Sequence, residues 1–93
     1  MKIDFDPAKS KKNERSRGLP FELAAEFDWV TALYIPDTRR DYGENRIRAF
    51  GFLEDRLHAI IFTPIAGGVR TISFRKANKR EILRYEDFKK NKP

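Results

Sequence analysis

The spacing of apolar side chains changes once in the last third of the chain, near residue 76. Over residues 69–75, β-branched and aromatic residues are dense and alternate between two faces, which predicts a strand. Helical spacing then follows in four apolar residues, Ile82, Leu83, Tyr85 and Phe88. Asn78 lies three residues before Glu81, the arrangement of a capping box at a helix start. The pattern therefore predicts one strand that leads directly into one helix.

The N-terminal pattern predicts a short edge strand over residues 2–5 and then a helix over residues 8–17. Asp6 and Pro7 suit the N-cap and the first helical position, and Gly18 suits the helix end. The helix is almost wholly polar, so we expect apolar packing to hold it only weakly. Two interpretations stay open: an exposed basic arm, or a helix ordered against a partner.

The middle of the chain predicts a second helix and three strands. The helix begins at residues 19–21, and its apolar residues at core spacing are Leu23, Ala24, Phe27 and Trp29. The remaining predictions are strands over residues 31–35, 46–52 and 57–63, a turn-rich loop over 36–44, and hairpin connections at 53–56 and 64–68. This order predicts an α+β fold, a small antiparallel β-sheet packed with N-terminal helices and one C-terminal helix.

Composition indicates one domain over residues 1–93, because a hydrophobic content of 40% with eight Phe can supply a small core. The net charge of +6 and the pI of about 9.8 favour a polyanion or an acidic protein as partner, although a merely soluble basic domain would carry the same charge. The chain has no Cys, which excludes disulfides and thiolate metal sites. We expect a cytoplasmic protein without a membrane span, since neither an apolar signal region nor a run of about 20 apolar residues occurs.

Metal and nucleotide chemistry find little support in the sequence. One His, one Met and no Cys leave mainly carboxylates as ligands, so no metal site and no cofactor is predicted. The glycine-rich nucleotide-binding motifs and the G-x-S-x-G motif of serine hydrolases are also absent. His58 is a candidate base because its ordinary pKa lies near neutrality, but its position in the most apolar strand equally suits a structural imidazole.

Arginines on neighbouring predicted strands form a candidate phosphate site. If their faces coincide, Arg46, Arg48, Arg70 and Arg75 would form a guanidinium patch, in which each planar fork can bind two phosphate oxygens. Simple alternation places Arg70 and Arg75 on opposite faces, unless a bulge or the strand end redirects Arg75. An ordinary solvated sheet face would show the same pattern.

The predicted strand–helix junction combines cations with a carboxylate and a phenol. Its charged and phenolic residues are Arg75, Lys76, Lys79, Arg80, Glu81, Arg84 and Tyr85. RNA cleavage without a metal needs a base, cations at the phosphate and an acid. Glu81 or Tyr85 could transfer protons beside Arg75, with Arg48 or Lys79 on the phosphate. The alternatives are a core role for Tyr85 and a plain capping-box role for Glu81.

Several short segments occur in an order that points to a known family. They are F-D-P-A-K at residues 5–9, Asn13, Gly18, P-F-E-L-A-A-E-F at 20–27, Y-G-E-N-R at 42–46, Gly51, F-T-P at 62–64, and I-S-F-R-K-A-N-K-R-E-I-L-R-Y-E at 72–86. With these segments the chain resembles the BrnT toxins of bacterial type II toxin–antitoxin modules. The resemblance implies a RelE-like fold and a metal-independent ribonuclease that inhibits translation. It also implies neutralisation by a BrnA-type antitoxin, in a heterotetramer that represses its own promoter and contacts operator DNA only through the antitoxin.

The resemblance also assigns functional residues. The family's arginine, glutamate and tyrosine fall on Arg75, Glu81 and Tyr85, which together with Arg48 are the predicted catalytic residues. The family's basic position after Y-G-E falls on Arg46. With the cations of the predicted strand and junction, the predicted RNA-binding residues are Arg46, Arg70, Lys76, Lys79 and Arg80.

Two positions depart from the family's usual pattern. The family commonly has K-H-G where this chain has Ser16-Arg17-Gly18, and it commonly has an arginine shortly after F-T-P, where this chain has Ile65. The departures suggest an alternative function, a catalytically weakened homologue that acts as an antitoxin-binding and co-repressor module. A plain basic RNA-binding domain is a third hypothesis.

Overall fold

A five-stranded sheet lies at the centre of the fold in the computed structural model, which describes residues 1–91. The strands are β1 Lys2–Asp4, β2 Leu33–Pro36, β3 Ile47–Leu53, β4 Arg56–Ile65 and β5 Gly68–Lys76. The helices are α1 Pro7–Arg17, a 3₁₀ helix Phe21–Glu26 and α2 Lys79–Lys90. The strand order is β1-β5-β4-β3-β2, with helices before and after the meander. The predicted α+β fold is confirmed, whereas the RelE-like classification stays a prediction.

Strand pairing is antiparallel except at one edge. β2, β3, β4 and β5 pair antiparallel in sequence, as the hairpin turns predict. β1 instead pairs parallel with the start of β5, matching Lys2 to Gly68 and Asp4 to Arg70. Gly68 is required there, because a Cβ at this position would overlap the backbone of Lys2. The hairpin turn between β4 and β5 is shorter than the predicted connection over residues 64–68. Gly67 takes the positive φ of 79°, and β5 begins at Gly68.

Each face of the sheet has its own hydrophobic core. On one face lie Leu19, Phe21, Ala24, Phe27, Ala32, Ala49, Ile60, Phe62, Val69 and Phe74, covered by the 3₁₀ helix and the segment after it. On the other face lie Phe50, Leu57, Ala59, Ala77 and Tyr85, covered by α2. Because α2 covers only the end of the second face near Phe50 and Ala59, the rest of that face has no helix above it in residues 1–91. Among residues 1–91 no helix is long and apolar enough to cross a membrane.

The second predicted helix forms, but as a short 3₁₀ helix. It begins after Pro20 and ends before Phe27, and it places Phe21 and Ala24 in the core. A run of six residues is long for a 3₁₀ helix but too short for a stable α-helix. Trp29 lies beyond its end, where the indole N–H donates to the Ala24 carbonyl at 2.9 Å. The helix is therefore a rigid turn that supports the core.

α1 begins and ends as predicted, and buried hydrogen bonds attach it to the rest of the fold. Asp6 accepts a hydrogen bond from the Ala8 N–H at 2.9 Å, and Gly18 ends the helix with a φ of 70°. Asn13 is buried and donates to two carbonyls, those of Leu19 at 2.6 Å and Phe74 at 2.9 Å. Buried Ser10 accepts from the Phe21 N–H at 2.8 Å. Apolar packing of α1 is weak, as expected, because its buried residues Ser10 and Asn13 are polar. Their hydrogen bonds take the place of the missing apolar stripe.

Candidate active site

A bulge in β5 determines which arginines share a face of the sheet. Ile61 pairs with Ser73 but Phe62 pairs with Thr71, so Ile72 is the extra residue of the bulge. The bulge shifts the alternation by one and places Arg70 and Arg75 on the same face. Arg48 of β3 lies on this face too, because it pairs with Ile61 of β4, which in turn pairs with Ser73, two residues before Arg75. The faces of these arginines therefore coincide, and the bulge resolves the conflict that simple alternation predicts.

Arg75 and Glu81 form a bidentate ion pair at the junction of β5 and α2. Arg75 Nη1 lies 2.8 Å from Glu81 Oε1, and Nη2 lies 2.9 Å from Oε2. The hydrogen bonds from Arg75 hold the pKa of Glu81 below its ordinary value, and Arg48 adds a smaller effect in the same direction. Glu81 is therefore ionised at neutral pH. The same bonds raise the pKa of Arg75.

Glu81 also has the predicted capping-box role. Its Oε1 accepts from the Asn78 N–H at 2.9 Å, while the Asn78 side chain accepts from the Glu81 N–H at 2.8 Å. The capping box fixes the first turn of α2 over the sheet, and the N-terminal end of a helix favours anions. The two hypotheses for Glu81 are therefore compatible, since one carboxylate caps the helix and holds Arg75.

A small cleft opens beside this ion pair, and we call it the arginine cleft. Its lining residues are Arg48, Phe50, Asn78, Arg80, Glu81 and Arg84, around a volume of about 180 Å³. Within residues 1–91 its three arginines form no salt bridge to a carboxylate. The Nε of Arg48 is buried and has no hydrogen-bond partner in this part of the chain. The cleft therefore has guanidinium groups available to bind an anion.

A buried carboxylate, that of Asp37, organises the loop between β2 and β3. The side chain of Asp37 has no exposed surface, and it accepts from Arg39 Nε at 2.8 Å and Nη2 at 2.9 Å, and from the Tyr42 hydroxyl at 3.3 Å. These bonds lower the pKa of Asp37 and raise that of Arg39. Charge repulsion from Arg39 opposes the rise in the pKa of Arg75 that its bonds to Glu81 cause.

The sequence pattern does not point to Asp37 and Arg39, since residues 36–44 indicate only a turn-rich loop. A usable signal was the D-x-R spacing directly after a strand, because an Asp in a turn commonly accepts bonds from groups two residues later. Arg46 was predicted and lies at the end of the same loop. Its guanidinium lies 4.0 Å from the centre of the Tyr42 ring, and its Nε donates to Glu44 at 2.9 Å.

Besides Arg46, four of the predicted residues lie outside the arginine cleft. Arg70 is on the same face as Arg75, but it is ion-paired to Asp4 at 2.7 Å. It also lies far from Arg75 along the sheet. Arg70 pairs with Thr63 of β4 and Arg75 pairs with Ala59, and these two β4 residues are four positions, or about 14 Å, apart. Lys76 pairs with His58 and therefore lies on the opposite face. Lys79 is exposed at the start of α2 and lines an adjoining depression, which shares Asn78 and Arg80 with the arginine cleft. The fourth is Tyr85.

Tyr85 is a core residue in this structure. Its side chain is buried, its ring packs against Phe52 and Phe88, and its hydroxyl donates to the Thr31 carbonyl at 3.0 Å. These contacts agree with the core alternative considered for Tyr85. The structure does not place its hydroxyl among the residues that line the arginine cleft.

His58 lies on the face away from the arginine cleft. Its Nδ1 is 2.8 Å from the Arg56 carbonyl, and its ring packs edge-on against Phe74. Burial lowers its pKa, so the imidazole is neutral at pH 7. These contacts favour the structural alternative for His58.

The two departures from the family pattern lie away from the arginine cleft. Arg17 is at the end of α1, where its Nη1 donates to Asn13 at 3.3 Å. Ile65 ends β4, six residues and about 20 Å along the strand from Ala59. Neither substitution removes a group that lines the arginine cleft.

The fold and site define a small α+β protein with an arginine-lined cleft at the junction of a strand and a helix. Within residues 1–91, no group of three or more His, Asp or Glu is arranged to hold a metal ion. Among protein families, the model described as the ribonuclease toxin BrnT of type II toxin–antitoxin systems matches residues 5–81. The chain belongs to this family. No curated protein and no solved structure matched the chain.

Family membership confirms the resemblance seen in the sequence and identifies the chain as a ribonuclease toxin of a type II system, with an antitoxin as its partner. The matched residues include Arg48, Arg75 and Glu81 and end before Tyr85.

Proposed function

We propose that the toxin cleaves RNA in the arginine cleft, with the scissile phosphate bound by the guanidinium groups of Arg48, Arg75 and Arg80. The observation that carries this proposal is the bidentate pair of Arg75 and Glu81 beside three arginines that lack a carboxylate partner within residues 1–91. A planar guanidinium matches the spacing of phosphate oxygens, and several of them can stabilise the extra negative charge of a phosphorane-like transition state.

Glu81 is the proposed proton acceptor, because it is the one carboxylate among the lining residues of the arginine cleft. Arg75 holds both of its oxygens in the free protein, which makes Glu81 a weak base. A bound phosphate competes for Arg75 and raises the pKa of Glu81 as the ion pair opens. The RNA 2′-hydroxyl then loses its proton to Glu81 and attacks phosphorus, and the bond from phosphorus to the 5′ oxygen breaks. The departing oxygen takes a proton from water.

The proposed cleavage uses guanidinium groups for the role that a metal ion has in many nucleases, which is to place positive charge at the phosphate. Cleavage that continues at full rate in the presence of EDTA would support this part of the proposal. A rate that falls in EDTA and recovers with a divalent cation would contradict it.

The proposed biological role follows from family membership and from charge. RNA cleavage in the cytoplasm would inhibit translation, and the net charge of +6 suits both an RNA substrate and an acidic segment of the antitoxin. We propose a BrnA-type antitoxin as the partner, in a heterotetramer that contacts operator DNA only through the antitoxin. Light scattering and operator binding of the purified pair, with the antitoxin alone as control, test this arrangement.

Growth and RNA cleavage test the proposed activity together. Induction of the wild-type chain alone should arrest bacterial growth, and the purified protein should cut RNA. Arg75→Ala and Arg48→Ala should relieve the arrest and slow cleavage by a factor of about 100 or more. Arg15→Ala is the matched control, since Arg15 is an exposed α1 arginine outside the arginine cleft. Equal growth with wild-type and Arg75→Ala protein, both present in soluble form, would contradict the proposal and favour the non-catalytic co-repressor.

A further inference from the structure

A second basic groove lies along α1, and we call it the α1 groove. Its lining residues are Lys9, Lys12, Asn13, Ser16, Arg17, Phe21, Ile72 and Ser73, around a volume of about 280 Å³. Three of them are cations, and all three are exposed. Within residues 1–91 none of these three forms a salt bridge. The α1 groove therefore has unpaired positive charge along one side.

The α1 groove reaches β5, the strand that also carries Arg75 of the ion pair beside the arginine cleft. Ser73 lines the α1 groove and lies two residues before Arg75 on the same face of the strand, a distance of about 7 Å. The pairing of β1 with β5 ends at Arg70, so β1 does not separate the two sites. A chain of phosphates bound at Arg75 can therefore continue past Ser73 toward α1.

The helix α1, which carries these cations, is attached to the sheet and to the 3₁₀ helix by hydrogen bonds. Asn13 links α1 to the carbonyl of Phe74, the residue between Ser73 and Arg75. Ser10 links α1 to the 3₁₀ helix through Phe21 and Glu22. A polar helix without an apolar stripe is thus attached rigidly beside the proposed active site, which suits it to bind a ligand rather than to fill the core.

We propose that the α1 groove binds the single-stranded RNA that continues from the arginine cleft, with Lys9, Lys12 and Arg17 on its phosphates. This inference rests on the proposed function, because it takes the RNA in the arginine cleft as its starting point. It adds that the toxin binds several nucleotides beyond the scissile one. A basic groove that follows the backbone is how single-stranded nucleic acid is commonly bound.

The lining of the α1 groove favours RNA over a protein segment. Protein interfaces are depleted in Lys and centred on apolar or aromatic residues. Here the apolar lining residues are Phe21, which is almost fully buried in the core, and half-buried Ile72. The other lining groups are cations, hydroxyls and an amide, which are groups that contact phosphate and sugar.

Charge-matched double variants test the proposal. Lys9→Ala/Lys12→Ala removes two cations from the α1 groove, while Lys11→Ala/Arg15→Ala removes two from the opposite side of the same helix. The probes are 2′-O-methyl RNAs of about 4 and about 12 nucleotides, which cannot be cleaved by 2′-hydroxyl attack. Affinity is measured by fluorescence anisotropy at several salt concentrations, and thermal melts confirm that both variants fold.

The expected result is specific to the groove variant and to the long RNA. Lys9→Ala/Lys12→Ala should weaken binding of the long RNA roughly tenfold more than the control variant does, and lower the slope of log affinity against log salt by about 1.4. Binding of the short RNA should not change. Equal losses in both variants, or loss with the short RNA, would overturn the proposal.

Two further arms separate this proposal from its alternatives. If an oligoglutamate peptide depends on Lys9 and Lys12 while the long RNA does not, the α1 groove is a protein site and the proposal is overturned. If Arg75→Ala does not reduce cleavage, the proposed active site is contradicted. The affinity of the uncleavable long RNA is a separate measurement, and it tests the α1 groove alone.

Discussion

Arg75 and Glu81 connect the last strand to the last helix through two parallel hydrogen bonds, of 2.8 Å and 2.9 Å. The same carboxylate accepts from the N–H of Asn78, so one side chain closes the capping box and orients the arginine. A ligand that attracts Arg75 therefore also changes the environment of Glu81. A substitution at either residue therefore has a chemical effect and a structural effect, and the two need separate measurements.

Glu81→Gln is expected to abolish most cleavage while the protein stays folded. Gln can still accept the Asn78 N–H in a capping box, but it cannot accept a proton from the RNA. Cleavage should slow by a factor of about 100 or more, and the free energy of unfolding should fall by about 1 kcal/mol or less, because the ion pair is partly exposed. Single-turnover cleavage and urea unfolding measure the two effects. A slower rate accompanied by loss of the folded state would contradict this separation.

Acid should remove the stabilisation that the ion pair provides. Arg75 holds the pKa of Glu81 below its ordinary 4.5, so the contribution is complete above about pH 4.5 and is lost as the pH falls through the lower folded-state value. The difference in unfolding free energy between wild-type protein and Glu81→Gln should therefore be constant from pH 7 to pH 5 and shrink below that. Urea unfolding at several pH values checks the trend. A difference that grows with falling pH would show that the sign is wrong.

Asp37→Asn should loosen the loop between β2 and β3. The substitution removes a buried negative charge that binds Arg39 through two hydrogen bonds and also accepts from Tyr42. We expect a loss of about 1–3 kcal/mol in stability and faster trypsin cleavage after Arg39 and Arg40. Asp41→Asn is the matched control, because Asp41 is exposed and accepts only from the nearby Gly43 N–H. Unchanged cleavage at the two arginines would show that Asp37 does not order the loop.

The elements that the sequence could predict are those with local signals. The capping box of α2 and the caps of α1 involve residues a few positions apart, and the structure confirms them. The meander also follows from local patterns, since hairpin turns join neighbouring strands. Family membership, which depends on residue order along the chain, was likewise predictable.

The features that the sequence could not predict depend on distant partners. The bulge at Ile72 is defined by pairing with β4, and it decides that Arg70 and Arg75 share a face. Lys76 was assigned to the RNA site with its neighbours along the chain, yet strand alternation carries it to the face of His58. Linear proximity was thus a poor guide to the arginine cleft, whose walls come from β3 and α2.

Asn13→Ala should detach α1, whose attachment also depends on a distant partner. The amide donates to the carbonyl of Phe74, 61 residues away, and to that of Leu19. Its loss leaves two buried carbonyls without their donor, which should destabilise the fold by about 1–3 kcal/mol. Hydrogen exchange of the α1 amides should accelerate more than that of α2. Ser16→Ala is the control, since Ser16 is exposed and donates to Lys12 within its own helix. Equal exchange in the two variants would contradict an anchoring role.

Tyr85→Phe distinguishes the two hypotheses for the tyrosine of α2. If Tyr85 is a core residue, as its contacts indicate, the variant loses one hydrogen bond to the Thr31 carbonyl and about 0.5–1.5 kcal/mol of stability. Its cleavage rate at a temperature well below unfolding should then equal that of the wild type. If the hydroxyl transfers a proton, the rate should instead fall about 100-fold or more with a similar change in stability. Because the ring keeps its packing against Phe52 in both cases, cleavage rate is the measurement that decides between them.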